Sequence, residues 1–291
     1  MLIIYHVIIE EVKNVLFVNK PSGMTSFDVC FKLRKVLHTK KIGHTGTLDP
    51  LATGVMIVLF DKATKANPFL VSDRKTYRCE VVFGISTDTL DIDGKVIENS
   101  EYSLPQKEDL KAVLDGFLGE SLQEVPITSA VSVDGKRLYQ YQREGRQVDL
   151  PKRTIRVYSI ELEKVLDDGF VFTCEVSSGT YIRALARDIL KKLGLNGTVR
   201  KLERTAIDDI TIEQCDDLEQ ILLGNFHTHT LYELLSKRYP VIRYSNPEEI
   251  RNGKKIVLNC NEKQVLICEG DEVLAVYEKE GDRYRCLRGL W

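Results

Sequence analysis

Two long β-patterned runs, Ile155 to Leu166 and Phe170 to Ser177, are joined at Asp168-Gly169. A connection this short cannot carry a crossover, so the runs must pair antiparallel. A type I′ turn at Asp168-Gly169 is expected, because Asp-Gly tolerates its left-handed backbone. Any fold for this chain must accommodate that hairpin. Directly after it, Ile182, Leu185, Ala186, Ile189, Leu190 and Leu193 repeat at helical spacing, and Gly194 supplies a stop. A second helix is expected after Thr25, where Thr25 and Asp28 make a capping-box pattern and Val29, Leu33, Val36 and Leu37 share a face. Val15 to Val18 and Val55 to Phe60 read as buried strands. From Thr76 to Gly84, Tyr77, Cys79, Val81 and Phe83 alternate with polar residues. Strands and helices do not alternate as regular βαβ units. The expected class is therefore α+β, with a mixed, mainly antiparallel sheet flanked by helices.

Around Tyr239-Pro240 the texture changes. Short β-like runs follow, parted by Gly270-Asp271 and Gly281-Asp282. This predicts two domains, 12–238 and a small β-rich one at 239–291. The length of 291 residues suits two domains.

The seven cysteines form no CxxC pair, which fits a reducing compartment without a zinc ribbon. No run approaches the length of a membrane span. A cytoplasmic protein is expected. The formal charge of −2 hides segregation. Residues 32–41 hold five Lys/Arg and no acid, while 136–156 and 183–204 each hold seven basic and two acidic residues. Acids prevail ten to three over 86–124 and six to none over 206–219. A basic face built from the three basic blocks is expected, and a polyanion is its natural partner.

The most unusual stretch runs from Lys40 to Gly54: Lys40-Lys41-Ile42-Gly43-His44-Thr45-Gly46-Thr47-Leu48-Asp49-Pro50-Leu51-Ala52-Thr53-Gly54. Three glycines suit a loop whose backbone is closely approached. Pro50 restricts Asp49 and so fixes the direction of its carboxylate. Asp-Pro alone would be an ordinary turn, but the whole string is more specific. It resembles the G-H-T-G-x-L-D-P-x-A-T-G motif of the TruB-type tRNA pseudouridine synthases. Further segments lie in the same order. Val18 to Ser26 resembles the family's V-x-K-P-x-G-x-T-S. Ala63-Thr64-Lys65 and Lys75-Thr76-Tyr77 match its A-T-K and K-x-Y. Thr87 to Gly94 is similar to T-x-T-x-D-x-x-G, and Ser177 to Arg183 to S-x-G-T-Y-I-R.

The resemblance implies a pseudouridine synthase fold followed by a shortened PUA-like RNA-binding domain. It implies isomerisation of uridine 55 in the tRNA T-loop, with the T-arm as partner. Nothing is oxidised or supplied from outside, so no cofactor is needed, and no P-loop, dinucleotide fingerprint or metal spacing is present. Asp49 would be the catalytic carboxylate, as nucleophile or base. Arg183 would aim it through a planar, two-pronged contact, though a phosphate contact is open. Tyr77 would stack on the uracil or pass a proton, unless it is a core tyrosine. Tyr181 and Leu202 would line the pocket, or simply pack. His44 would fill the stack vacated by the flipped nucleotide. Lys20 would bind substrate.

Where the family usually reads Q-x-P-P-x-Y-S-A-x-K-V-D-G-K, Val125, Thr128 and Ser132 replace a Pro, a Tyr and a Lys. Glu203 replaces an Arg. These departures are not expected to touch the Asp49–Arg183 pair. They keep open a same-fold synthase acting on another RNA uridine, and a tRNA-binding folding helper whose catalysis is secondary or lost. Asp88 to Gly94 is a turn and not a calcium loop, since Thr89 and Ser100 stand where ligands are needed. His227 and His229 alone make no metal site. A monomer is expected, since no coiled-coil seam appears. Residues 1–11 precede the matching segment and are expected not to belong to the working protein, with Val12 marking a valine-written start. An added strand is the alternative.

Overall fold

Strand Lys152–Leu166 pairs antiparallel with Gly169–Ser177 in the computed structural model, which describes residues 14–291. The segment 1–11 lies outside the described residues. The turn differs from the expected type I′. Leu166 pairs with Gly169, so Asp167 and Asp168 form the loop, and neither has the positive φ that type I′ requires. Gly169 is needed for a different reason. A Cβ there would lie 1.9 Å from the Val81 carbonyl oxygen, so the glycine lets the neighbouring strand close up.

The hairpin belongs to a 10-stranded sheet. Its order is Asp216–Asp217, Val15–Lys20, Thr53–Phe60, Gly197–Ile207, Arg74–Phe83, Gly169–Ser177, Lys152–Leu166 and Gly119–Glu124. Short strands Ile42–His44 and Ile210–Thr211 pair with Thr53–Phe60 and Gly197–Ile207 respectively. Pairing is antiparallel except between Val15–Lys20 and Asp216–Asp217, and between Thr53–Phe60 and Gly197–Ile207. The α+β class with a mixed, mainly antiparallel sheet holds.

The alternation over 76–84 has its cause in packing. Tyr77, Cys79, Val81 and Phe83 meet Ile182, Leu185, Ala186 and Ile189 in one core. Helix Ile182–Leu193 ends at Gly194 in the left-handed conformation, φ 69°. Helix Ser26–Val36 starts with the expected Thr25–Asp28 capping box. No helix among the described residues is long and apolar enough to cross a membrane.

Strand Thr53–Phe60 is apolar on both faces because both are covered. Met56, Val58 and Phe60 pack with Val29, Cys30 and Leu33 of helix Ser26–Val36. Val55, Ile57 and Leu59 pack with Leu266, Cys268, Val276 and Leu290 of the tail. The tail is a four-stranded sheet of Val241–Arg243, Gln264–Glu269, Glu272–Glu280 and Arg283–Gly289. Its other face has a core of its own around Val265, Ile267, Tyr277 and Tyr284. The change of texture near Tyr239 thus marks a new sheet, with a hydrophobic cluster crossing the boundary.

Candidate active site

The loop after His44 would be floppy if its backbone polar groups were left to water. Buried side chains tie it down instead. Ser26 Oγ accepts from Leu48 N at 2.8 Å and donates to Leu48 O at 3.2 Å. Lys20 is fully buried, and its Nζ donates to Pro21 O, Met24 O and Pro50 O at 2.9, 2.7 and 3.3 Å. Arg204 is also fully buried and donates to Val55 O, Thr47 O and Gly46 O at 2.8, 3.3 and 3.2 Å. Gly54, at φ +103°, lies so close to this strand that a Cβ would sit 2.2 Å from the Arg204 carbonyl oxygen. The loop is thereby fixed from beneath at Gly46, Thr47, Leu48, Pro50 and Val55, with Asp49 between the ties.

Arg183 enters from the first turn of helix Ile182–Leu193. The start of that helix is clasped by Gln123, which accepts from Tyr181 N at 2.8 Å and donates to Tyr181 O at 3.0 Å. Arg183 Nε donates to Asp49 Oδ2 at 2.8 Å. The expected two-pronged contact is not formed. Nη1 donates to Thr89 O at 2.5 Å and Thr128 Oγ1 at 2.8 Å, and lies 3.3 Å from Asp91 Oδ2; Nη2 donates to Thr128 O at 3.3 Å. The guanidinium is 5% exposed and bridges two carboxylates, whereas the Asp49 side chain keeps 36% exposure. A fixed, accessible carboxylate held by a buried cation is an arrangement suited to attack on a bound molecule.

Asp49 opens into a cleft of about 770 Å³. Tyr77, Tyr181, Arg183 and Leu202 line it with Asp49, so five of the seven predicted site residues converge. Burial pushes the Tyr77 phenol up, with Arg204 partly opposing, so the ring presents a protonated hydroxyl. Arg153 lies over the Tyr181 ring at 5.5 Å. Lys20 and His44 do not reach the cleft wall. Lys20 spends its ammonium on loop carbonyls, and burial lowers it to about 8 against the pull of Asp49. His44 pairs with Val58 in the sheet, and its Nδ1 is sealed without a partner among the described residues. Burial, then Arg204, lowers its imidazole.

Three site residues escaped sequence reasoning. Thr128 is a departure from the family pattern, and it hydrogen-bonds Arg183, so the departures do touch the pair. Asp91 lies in the turn 88–94; burial raises its carboxyl, with Thr89 and Arg183 opposing. Lys75 lines the cleft beside Gly46, and burial with Arg204 lowers its ammonium to about 8. The K-x-Y spacing was the available signal for Lys75.

The basic face also needs correction. In block 183–204, Arg183 binds Asp49, Arg187 pairs with Asp188 and Glu124, Arg200 pairs with Glu80 and Asp168, and Arg204 is buried. Those four charges are paired or buried, so of this block Lys191, Lys192 and Lys201 stay exposed to join 32–41 and 136–156 in a surface. His227 and His229 turn to separate carboxylates, Asp216 and Glu233.

The TruB family pseudouridylate synthase N-terminal domain matches residues 34–182. A tRNA pseudouridine synthase B of Aquifex aeolicus is 40% identical over 91% of this chain and 95% of its own length. That of Caldanaerobacter subterraneus is 41% identical over 88% of this chain and 90% of its own length. Among solved structures, a Cbf5-Nop10-Gar1 complex contains a chain of the same fold, with TM-score 0.71 and 21% identity over 96% of this chain and 85% of that one. An H/ACA RNP bound to a substrate RNA gives TM-score 0.70 at 20% identity over 96% of this chain and 85% of that one. With the motif loop, its buried ties and the Asp49–Arg183 pair in place, the chain belongs to the TruB family of pseudouridylate synthases.

Proposed function

We propose that this chain isomerises uridine 55 of the tRNA T-loop to pseudouridine, with Asp49 as the reacting carboxylate. The observation that carries this is the Asp49 carboxylate, held by a buried Arg183 and open to a cleft lined by Tyr77, Tyr181 and Leu202. Relatives named for tRNA support RNA as substrate, and the motif supports the T-loop position. The uridine leaves its stack to enter the cleft. The C1′–N1 bond breaks, the uracil turns, and a C1′–C5 bond forms. The proton on C5 is lost and N1 gains one, so atoms balance without a cofactor. Asp49 acts as nucleophile or base in this exchange. Arg183 stabilises its charge and direction. Tyr77 packs on the uracil, its raised phenol suiting donation more than proton abstraction. Residues 239–291 add RNA contacts beside residues 12–238, which hold the chemistry.

Asp49→Asn tests this directly. The amide keeps the size but cannot act as nucleophile or base. Pseudouridine mapping of a tRNA transcript should show no turnover, with tRNA binding nearly intact. Multiple turnover by the purified variant would remove Asp49 from its role; product at another uridine would overturn the position.

A further inference from the structure

We propose that Phe27, Phe31 and Arg34 form a docking point where an unpaired base and its phosphate, belonging to the RNA whose uridine enters the cleft, are held. This rests on the RNA-modifying reading above. Phe27 and Phe31 lie one turn apart on helix Ser26–Val36, and each is 62% exposed. Scattered exposed apolar residues are ordinary, but two neighbouring large rings under one cation are not. The Arg34 Cζ sits 5.6 Å from the Phe27 ring centroid and 5.7 Å from that of Phe31.

Arg183, Arg187 and Arg200 are all ion-paired. Arg34 joins no ion pair among the described residues, and neither do Arg143, Arg153 and Arg156 over their own rings. Arg34 alone of these also carries an Nε sealed without a hydrogen-bond partner there. A cation resting on two aromatic faces, with its charge unanswered, matches a nucleotide: the ring faces take a base and the guanidinium takes the phosphate. Lys32 and Lys35 are exposed on the same helix, and Lys40 and Lys41 follow it, so the surroundings favour a polyanion.

The patch is also coupled to the chemistry by position. Thr25, which caps the helix, lines the cleft. Ser26 clasps Leu48, the residue before Asp49. Phe31 is six residues beyond Thr25, about 9 Å along the helix axis. Whatever stacks there is therefore held at a fixed offset from Asp49.

The test uses the full chain and an unmodified tRNA transcript. The double variant Phe27→Ser/Phe31→Ser should lower tRNA affinity about 10-fold, the scale of one lost base stack. Turnover at saturating tRNA should be unchanged. Phe27→Tyr/Phe31→Tyr keeps the rings and should bind as the parent does. Parental affinity in the serine variant, with Asp49-dependent product still formed, would overturn the docking point and leave the synthase reading intact. Equal loss in the tyrosine variant would overturn stacking. A dimer in the parent that the serine variant breaks, seen by sedimentation, would give the patch to a second copy and overturn it as well. If the parent forms no pseudouridine, it is the synthase reading that fails.

Discussion

The cleft has two unlike walls. One is the loop carrying Asp49, whose carbonyls are bound from beneath by Lys20 and Arg204, both fully buried. The other is the strip 125–143, built of two-residue strands Ser132–Val133 and Lys136–Arg137 and the six-residue helix Leu138–Arg143. Several of its ties run between exposed groups, such as Lys136 with Glu144 and Gln142 with Asp88 O. The first wall follows the family motif almost without a break, while Val125, Thr128 and Ser132 depart from it on the second. Arg183 spans both, holding Asp49 with Nε and Thr128 with Nη1 and Nη2. The difference teaches where geometry is enforced: the loop carrying Asp49 is fixed by buried charge, and the strip 125–143 has fewer buried contacts to lose.

The contrast breaks first at Arg204. Arg204→Met leaves the carbonyls of Gly46, Thr47 and Val55 without their buried donor, at ~1–3 kcal/mol per orphaned group. A loss of ~3–5 kcal/mol of stability in urea unfolding is expected, with activity falling alongside. Stability close to the parent would mean that the first wall does not depend on its buried ties.

A smaller effect should come from the bridge. Thr128→Val keeps the shape and removes the hydroxyl that accepts from Arg183 at 2.8 Å. One such bond is worth ~1 kcal/mol, so kcat should fall up to about fivefold while the Tm falls by only about 2–4 °C. An unchanged kcat would show that Arg183 aims Asp49 without help from the second wall.

The smallest effect sharpens the first wall by pH. Lys75 lines the cleft with an ammonium lowered to about 8 from the ordinary 10.5. Its attraction for RNA is present below about 8 and lost above it, so KM for tRNA should rise modestly through that pH. Stability moves the other way. Between about 8 and 10.5 the unfolded chain holds a proton that the folded chain has released, so this lysine makes stability rise with pH. Lys75→Met should bind more weakly at pH 7 and lose the KM inflection near 8. An inflection retained in that variant would move it to another group.

What was legible in the sequence follows the same division. The capping box at Thr25–Asp28, helix Ile182–Leu193 with its Gly194 stop, and the alternation from Tyr77 to Phe83 are local patterns, and they appear as expected. The hairpin pairing was legible, but its turn was not, because Gly169 answers to the Val81 carbonyl of the neighbouring strand Arg74–Phe83. That Asp49 and Arg183 meet was legible through motif strings. Arg204 and Lys20 were not legible as ties, since a charged residue in a strand pattern gives no sign that backbone carbonyls will surround it. Nor does a basic run such as 183–204 reveal which charges will be spent on Asp49, Glu80 and Asp168.

The strand leaving the Asp49 loop, Thr53–Phe60, is covered on one side by residues as distant as Val276 and Leu290. During synthesis that side waits for roughly 230 more residues, about 10–50 s at ordinary elongation rates. Through that interval Val55, Ile57 and Leu59 have only the earlier partners of their cluster, such as Phe17, Ala63, Ala66 and Leu70. The strand behind the first wall is therefore among the earliest parts of the chain to be made, while its tail-facing side is among the last to be covered, long after Ser26, Lys20 and Arg204 are in place to tie the loop itself.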